Sequence, residues 1–360
     1  MVVTAVLVAA VVTVAARVAT ADWIIPDTNV GMRPETVSFD GRKHYFQIPD
    51  EPKGLVVIFP GCDRFGFGFW PYNGSNCPEC AGLPEDLGHA KQAMARKYAV
   101  LVPSATATNG CWSCKVDLPV VKPLLEMFVK AHALSHAPLY VLGASSGGDM
   151  ALYLASYLAS TKSPLKVSGV LMEVSTNAAV NRSVTDVASL PPVAWVTLAQ
   201  QKEIDAAKAH VVEYERDYHG KAGMATRLAS NITSSFFADT HPLVDNTTSA
   251  LIRESLIKLR VIDSAGQIVM SDFKDPPRAW QNELVRMVPF LQGNKDFQTE
   301  PFGKDAILQG LLVAQAVHEH VCDFLTAALV WFEQSGSSKF ADLVRIYRKT
   351  RPAYLTMYDT

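Results

Sequence analysis

The chain predicts an α/β fold: a mostly parallel, doubly wound sheet with a cap-like insertion. Three observations predict it. Short apolar runs alternate with helical stretches between residues 54 and 198, the pattern of a parallel sheet covered on both faces. One of those runs passes through a glycine-rich turn straight into a helix at residues 139–158. About a hundred residues then precede the last large apolar helix, a longer connection than such folds usually carry.

Taken in order, residues 37–48 read as a leading strand with a turn at Asp40-Gly41, and 54–60 as a buried strand ending in a turn. Residues 83–98 are helical, 99–102 form a strand and 118–134 a second helix. The strand at 139–142 enters the glycine turn. Two further strands follow at 166–172 and 193–198, separated by a loop with turn residues. Beyond them, 252–259 reads as an amphipathic helix, 261–269 as a hairpin and 324–332 as an apolar helix. The expected organisation is a leader at 1–21, the first part of the core at 22–205, an insertion or cap at 206–303, and the C-terminal helices of the core at 304–360.

The turn reads Gly143-Ala144-Ser145-Ser146-Gly147, a G-x-S-x-G sequence. Flanked by strand and helix, it is the nucleophile elbow of α/β-hydrolases, in which a strained turn lifts the serine hydroxyl over the sheet edge. The flanking glycines let strand and helix approach without a Cβ clash. Ser145 is the central serine and the expected nucleophile. A Walker-type phosphate loop is excluded because no Lys follows the glycines, and no G-x-G-x-x-G dinucleotide fingerprint is present. No cofactor and no metal are expected.

Two N–H groups suit an oxyanion hole: that of Ser146 at the helix start, and that of Cys62 in Phe59-Pro60-Gly61-Cys62-Asp63, where an earlier strand ends. Chain order in this fold is serine, acid, histidine. The acid belongs just after the strand at 193–198, where Asp205 is the first choice and Glu203 the second, although either could simply open the next helix. His318, before the final apolar helix, is the expected base, with His320 as substitute; His241 lies in the expected insertion. His318 and His320 are two apart and would point away from each other on a helix, unlike the i, i+4 pair of a zincin.

These residues imply a serine hydrolase acting on a small or polymeric carboxylic ester through an acyl-enzyme. The alternative is a hydrolase-fold protein of weak or no catalysis used for binding at a cell surface, favoured by the irregular acid position.

The motifs Phe69-Trp-Pro, Cys77-Pro-Glu-Cys-Ala-Gly-Leu-Pro-Glu85, Gly110-Cys-Trp-Ser113 and Ala316-Val-His-Glu319 resemble a group of plant and protist secretory α/β-hydrolase-fold proteins. More distantly, the Gly61-Cys62 loop resembles hydrolases of the polyhydroxybutyrate-depolymerase and feruloyl-esterase type, with Pro60 where they have His. The resemblance spans most of residues 37–335 and implies the fold more firmly than the substrate.

The N-terminus bears on compartment. Residues 1–16 carry no charge and are rich in Val and Ala, and Ala19 and Ala21 supply a small-x-small cleavage pattern before Asp22. The apolar stretch is shorter than the roughly 20 residues of a membrane span, so a cleaved leader is expected ahead of an uncleaved anchor, and no later run is long and apolar enough to span a bilayer. Sequons at Asn73, Asn181, Asn231 and Asn246 agree with a secreted or lumenal glycoprotein. Among six cysteines, Cys77/Cys80 and Cys111/Cys114 form two C-x-x-C pairs, expected in disulfides in an oxidising compartment rather than in a zinc or redox site; pairing is not legible. A net charge of −2 gives no reason to expect nucleic acid or an anionic membrane as partner.

Overall fold

A hairpin opens the sheet. β1 (Glu35–Phe39) and β2 (Arg42–Gln47) pair antiparallel across Asp40 and Gly41, whose φ values of 50° and 72° are the positive pair that suits a two-residue hairpin turn. The computed structural model describes residues 31–161, 163–175, 190–241, 243–297, 305–347 and 358–359. The expected leader at 1–21 and the sequon at Asn181 lie outside them.

The chain then alternates: β3 (Gly54–Phe59), α1 (Pro84–Ala95), β4 (Tyr98–Val102), α2 (Cys114–Ala131), β5 (Leu139–Ala144), α3 (Ser146–Ser160), β6 (Val167–Glu173), β7 (Val193–Leu198), α4 (Gln201–Tyr218) and β8 (Ala222–Arg227). The strands assemble in the order β1-β2-β4-β3-β5-β6-β7-β8 with the two-residue β9 (Tyr358–Asp359) at the far edge. From β4 to β8 every pairing is parallel. With the elbow after β5, this is an α/β-hydrolase fold.

Period-two alternation distributes the strands' side chains over two cores. Leu55, Val57 and Phe59 of β3 pack with α2, α3 and α4, while Val56 and Ile58 pack with α1 and with α9 (Leu325–Glu333) and α10 (Phe340–Tyr347). Burial on both faces explains why these strands read as continuous apolar runs. Each fully buried aliphatic side chain contributes about 1.5–3 kcal/mol relative to exposure.

A third apolar cluster stands apart from both sheet faces. It draws on α5 (Phe236–Thr240), α6 (Asn246–Lys258), α7 (Ala279–Met287) and α8 (Ala306–Ala314), and it includes Ile232 and Leu83. The expected boundaries of the insertion therefore shift. β8 and all but the first five residues of α4, placed at 206–303 by sequence, belong to the sheet and the helices packed on it, and α8, placed with the C-terminal helices, joins the third cluster. The physical reason is that β8 reads Ala-Gly-Met-Ala-Thr-Arg, with no β-branched run to announce a strand. The hairpin expected at 261–269 is reduced to a single bridge, Ile262 with Ile268. No described helix is long and apolar enough to cross a membrane.

Candidate active site

Ser145 sits between β5 and α3 at φ 53° and ψ −123°, a conformation that costs a non-glycine residue about 1–3 kcal/mol. Its N–H donates to the Glu173 carbonyl at 2.9 Å, which locks the turn to β6. The neighbouring glycines are required by contact. A Cβ on Gly143 would lie 2.2 Å from the Gly147 carbonyl oxygen, and one on Gly147 would lie 2.0 Å from that of Phe59. Strand, helix and the end of β3 thus meet at distances only glycine permits.

The loop after β3 borders the serine: a Cβ built on Gly61 would be 3.6 Å from Ser145 Cβ. Four of the ties that hold this loop in place join it to neighbouring loops. Cys62 is disulfide-bonded to Cys111, the Trp112 indole N–H donates to the Pro60 carbonyl at 2.7 Å, and the Asp63 N–H donates to the Asn109 carbonyl at 2.7 Å. The fourth is a buried ion pair between the Arg64 guanidinium and the Glu319 carboxylate. Burial opposes ionisation of Glu319, but Arg64 outweighs it and holds the carboxyl below the usual range. Among the described residues, the N–H groups of Cys62 and Ser146 have no protein acceptor.

His318 lies on the loop before α9, and its Nδ1 is 3.1 Å from Glu203 Oε1. The imidazole is half-exposed and the carboxylate buried. Ser145, Gly61, Cys62, His318, Val174 and Leu312 border one cavity of about 320 Å³, a modest size for a small-molecule site. Asp205, the acid expected first, does not take part. It is exposed, and its carboxylate accepts from the Gln201 side chain at 2.7 Å. Residues two apart on a helix face different ways, so Glu203 in the first turn of α4 meets His318 and Asp205 cannot.

The cysteine expectation is corrected in part. Cys77 pairs with Cys80, but Cys111 pairs with Cys62, and Cys114 is a free, half-buried thiol at the start of α2. His241 is buried inside the insertion, where Nε2 faces the Gly82 carbonyl at 3.2 Å and Nδ1 accepts from the Leu243 N–H. Burial lowers its pKa to about 3, which keeps it neutral and structural. Of the sequons, Asn231 and Asn246 are exposed and Asn73 is half-buried.

Sequence reasoning missed the network that secures the His318 loop. Residues 84–93 of α1 are all buried although they include Glu85, Asp86, His89, Lys91 and Gln92. Glu85 accepts from the Cys322 N–H at 2.9 Å, Gln92 donates to the Cys322 carbonyl at 2.6 Å, and Glu173 accepts from the Val321 N–H at 3.3 Å. Asp86 accepts from Gln309 at 2.6 Å, and burial raises its pKa to about 6. A helix this polar that also carries a histidine between acids was the available signal, because such a helix is normally solvated.

Two clusters in this network have ligand atoms close enough for a cation: His89, Glu173 and His320, and Glu85, Cys322 and Asp323. The hydrogen bonds already occupy the first. His89 Nδ1 faces the Glu85 carbonyl and its Nε2 the Glu173 carboxyl, each at 2.8 Å, so both its nitrogens are engaged. Burial disfavours a charged His89 imidazole, but Glu173 prevails and raises its pKa. At the second cluster the Arg227 guanidinium supplies the positive charge, 3.0 Å from Asp323 and 3.8 Å from Glu85.

No family model and no curated protein matches the chain. Among solved structures, it is similar to an esterase/lipase from an uncultured bacterium, with 11% identity, 53% of this chain and 73% of that one covered, and a TM-score of 0.35. It is also similar to esterase B from Lactobacillus rhamnosis, at 13% identity, 54% and 73% coverage and a TM-score of 0.35. A third is an esterase of the bacterial hormone-sensitive lipase family, at 11% identity, 54% and 73% coverage and a TM-score of 0.34.

Proposed function

We propose that the protein is a serine hydrolase of carboxylic esters with Ser145 as nucleophile, His318 as general base and Glu203 as the acid. The observation that carries this reading is the His318–Glu203 contact of 3.1 Å on the rim of the cavity that holds Ser145. With Nδ1–H donating to Glu203, Nε2 is left unprotonated and can take the serine proton. Ser145 then attacks the acyl carbon, the alcohol leaves with that proton, and water hydrolyses the acyl-enzyme by the same route. The N–H groups of Cys62 and Ser146, at the positive end of α3, stabilise the tetrahedral oxyanion. Glu203 also supplies the carboxylate whose apparent displacement favoured the binding-protein alternative.

The third apolar cluster reads as a cap, since Leu312 of α8 borders the cavity. We read the chain as entering the secretory pathway through a leader at 1–21, with glycans at Asn231 and Asn246. Two disulfides suit such an oxidising compartment. Hydrolysis of p-nitrophenyl esters by wild type, Ser145→Ala and His318→Ala tests the proposal. Wild type should turn over and both variants should lose activity to a similar degree, because members of a triad act as a unit. An unaffected His318→Ala enzyme would contradict the assignment of the base.

A further inference from the structure

The histidine two residues beyond the proposed base contacts the oxyanion loop. His320 Nε2 lies 3.0 Å from the Gly61 nitrogen, buried, and accepts its N–H across a sequence separation of 259. A ring nitrogen that accepts an N–H carries no proton, so the proton of neutral His320 sits on Nδ1. Only that tautomer can hold Gly61. Its neighbour in the chain is Cys62, whose N–H is the proposed oxyanion donor, and a Cβ built on Gly61 would meet both Ser145 Cβ at 3.6 Å and His320 Nε2 at 3.7 Å.

We propose that His320 is the positioning residue of the oxyanion hole, accepting the Gly61 N–H so that the next amide, that of Cys62, faces the acyl oxygen. This rests on the serine-hydrolase reading above. The arrangement explains why two histidines occur so close together: His318 stands at the half-exposed rim to exchange protons, and His320 lies in the interior as a fixed acceptor. It also couples the two catalytic loops, because the residue between these histidines, Glu319, pairs with Arg64 of the oxyanion loop. The base and the oxyanion donor are thus registered to each other through three successive residues.

The surroundings keep His320 neutral. From α1, Asp86 Oδ1 stands 3.8 Å from Nδ1, too far for a hydrogen bond, and the His89 ring lies 6.0 Å away edge-on. Phe69 packs at 6.3 Å. Glu173 from β6 and Glu319 from its own loop favour a charge, while Arg64 and His89 oppose it. Burial dominates and lowers the pKa to about 4. Protonation would place an Nε2–H against the Gly61 N–H, two donors face to face, and would release the loop.

Paired substitutions separate the roles of the two ring nitrogens. The Gln amide reaches the position of Nε2 and can accept from Gly61, whereas the shorter Asn amide reaches only that of Nδ1. For p-nitrophenyl acetate, His320→Gln should keep kcat within about threefold of wild type, and His320→Asn should lose about 10–100-fold in kcat with KM within about threefold. Equal kcat values for the two variants, or a change confined to KM, would overturn the proposal. If the variants do not fold, or wild type hydrolyses no ester, 15N NMR of the wild-type protein decides. An Nδ1–H tautomer with Nε2 coupled across the hydrogen bond to the Gly61 amide is expected, and an Nε2–H tautomer would refute it. Inactivity of the wild type would count against the proposed function alone.

Discussion

His318 Nδ1 lies 3.1 Å from Glu203 Oε1, although 115 positions separate the two residues. One comes from the loop before α9 and the other from the first turn of the helix after β7. Because His318 also borders the cavity that Ser145 lines, their meeting turns a serine motif into a candidate for catalysis.

Glu203→Gln should lower kcat by about 10²–10⁴-fold, because the amide no longer stabilises the imidazolium or selects its tautomer. Asp205→Asn should stay within about twofold of wild type, since its carboxylate only accepts from Gln201. Steady-state kinetics on both variants checks this, and the opposite ranking would restore Asp205 as the acid.

The Cys62–Cys111 bridge ties down the loop that carries the proposed oxyanion donor. Mild reduction should therefore lower ester hydrolysis by about tenfold or more, as small displacements of catalytic groups are costly. A Cys77→Ser/Cys80→Ser protein should respond to reduction just as wild type does. Mass spectrometry after alkylation without reduction should label Cys114 and neither Cys62 nor Cys111.

Gly147→Ala would drive a Cβ to 2.0 Å from a backbone oxygen, and should cost about 3 kcal/mol or more in denaturant unfolding. Gly293→Ala meets no atom within 4 Å but sits at φ +71°, and should cost only about 1–2 kcal/mol for its left-handed backbone. Similar losses for both would mean that strand, helix and loop do not crowd as described.

Stability should also depend on His241. Its folded pKa of about 3 lies below the unfolded value of 6.5, so its contribution is present above pH 6.5 and is lost as pH falls towards 3. Asp86 and Asp305, each raised to about 6 by burial, act in the opposite direction and lose stability as pH rises through 6. The difference between variants is therefore the readout. His241→Asn, which can still accept from the Leu243 N–H, should show a smaller drop in Tm than wild type between pH 6.5 and pH 4. Parallel curves would count against a buried neutral imidazole.

Much of this architecture is legible in sequence because its signals are local. The strands β3 to β7 are buried on both faces and read as apolar runs, and the elbow declares itself by glycine spacing. The proposed acid was not legible because Glu203 and Asp205 differ only in helical phase, and the start of α4 sets that phase. β8 escaped notice because its small residues form no apolar run, and one of them, Gly223, lies under Phe340. The Cys62–Cys111 pairing and the His320–Gly61 bond join loops far apart in the chain, and nothing near either residue encodes its partner.

The central claim is that Ser145 is an activated nucleophile. Its most direct test is reaction of the protein with a fluorophosphonate probe, followed by mapping of the modified peptide. The account predicts a single adduct on Ser145, absent from Ser145→Ala and greatly slowed in His318→Ala. An adduct that persists in Ser145→Ala, or wild-type protein that is folded and inert to the probe, would contradict it.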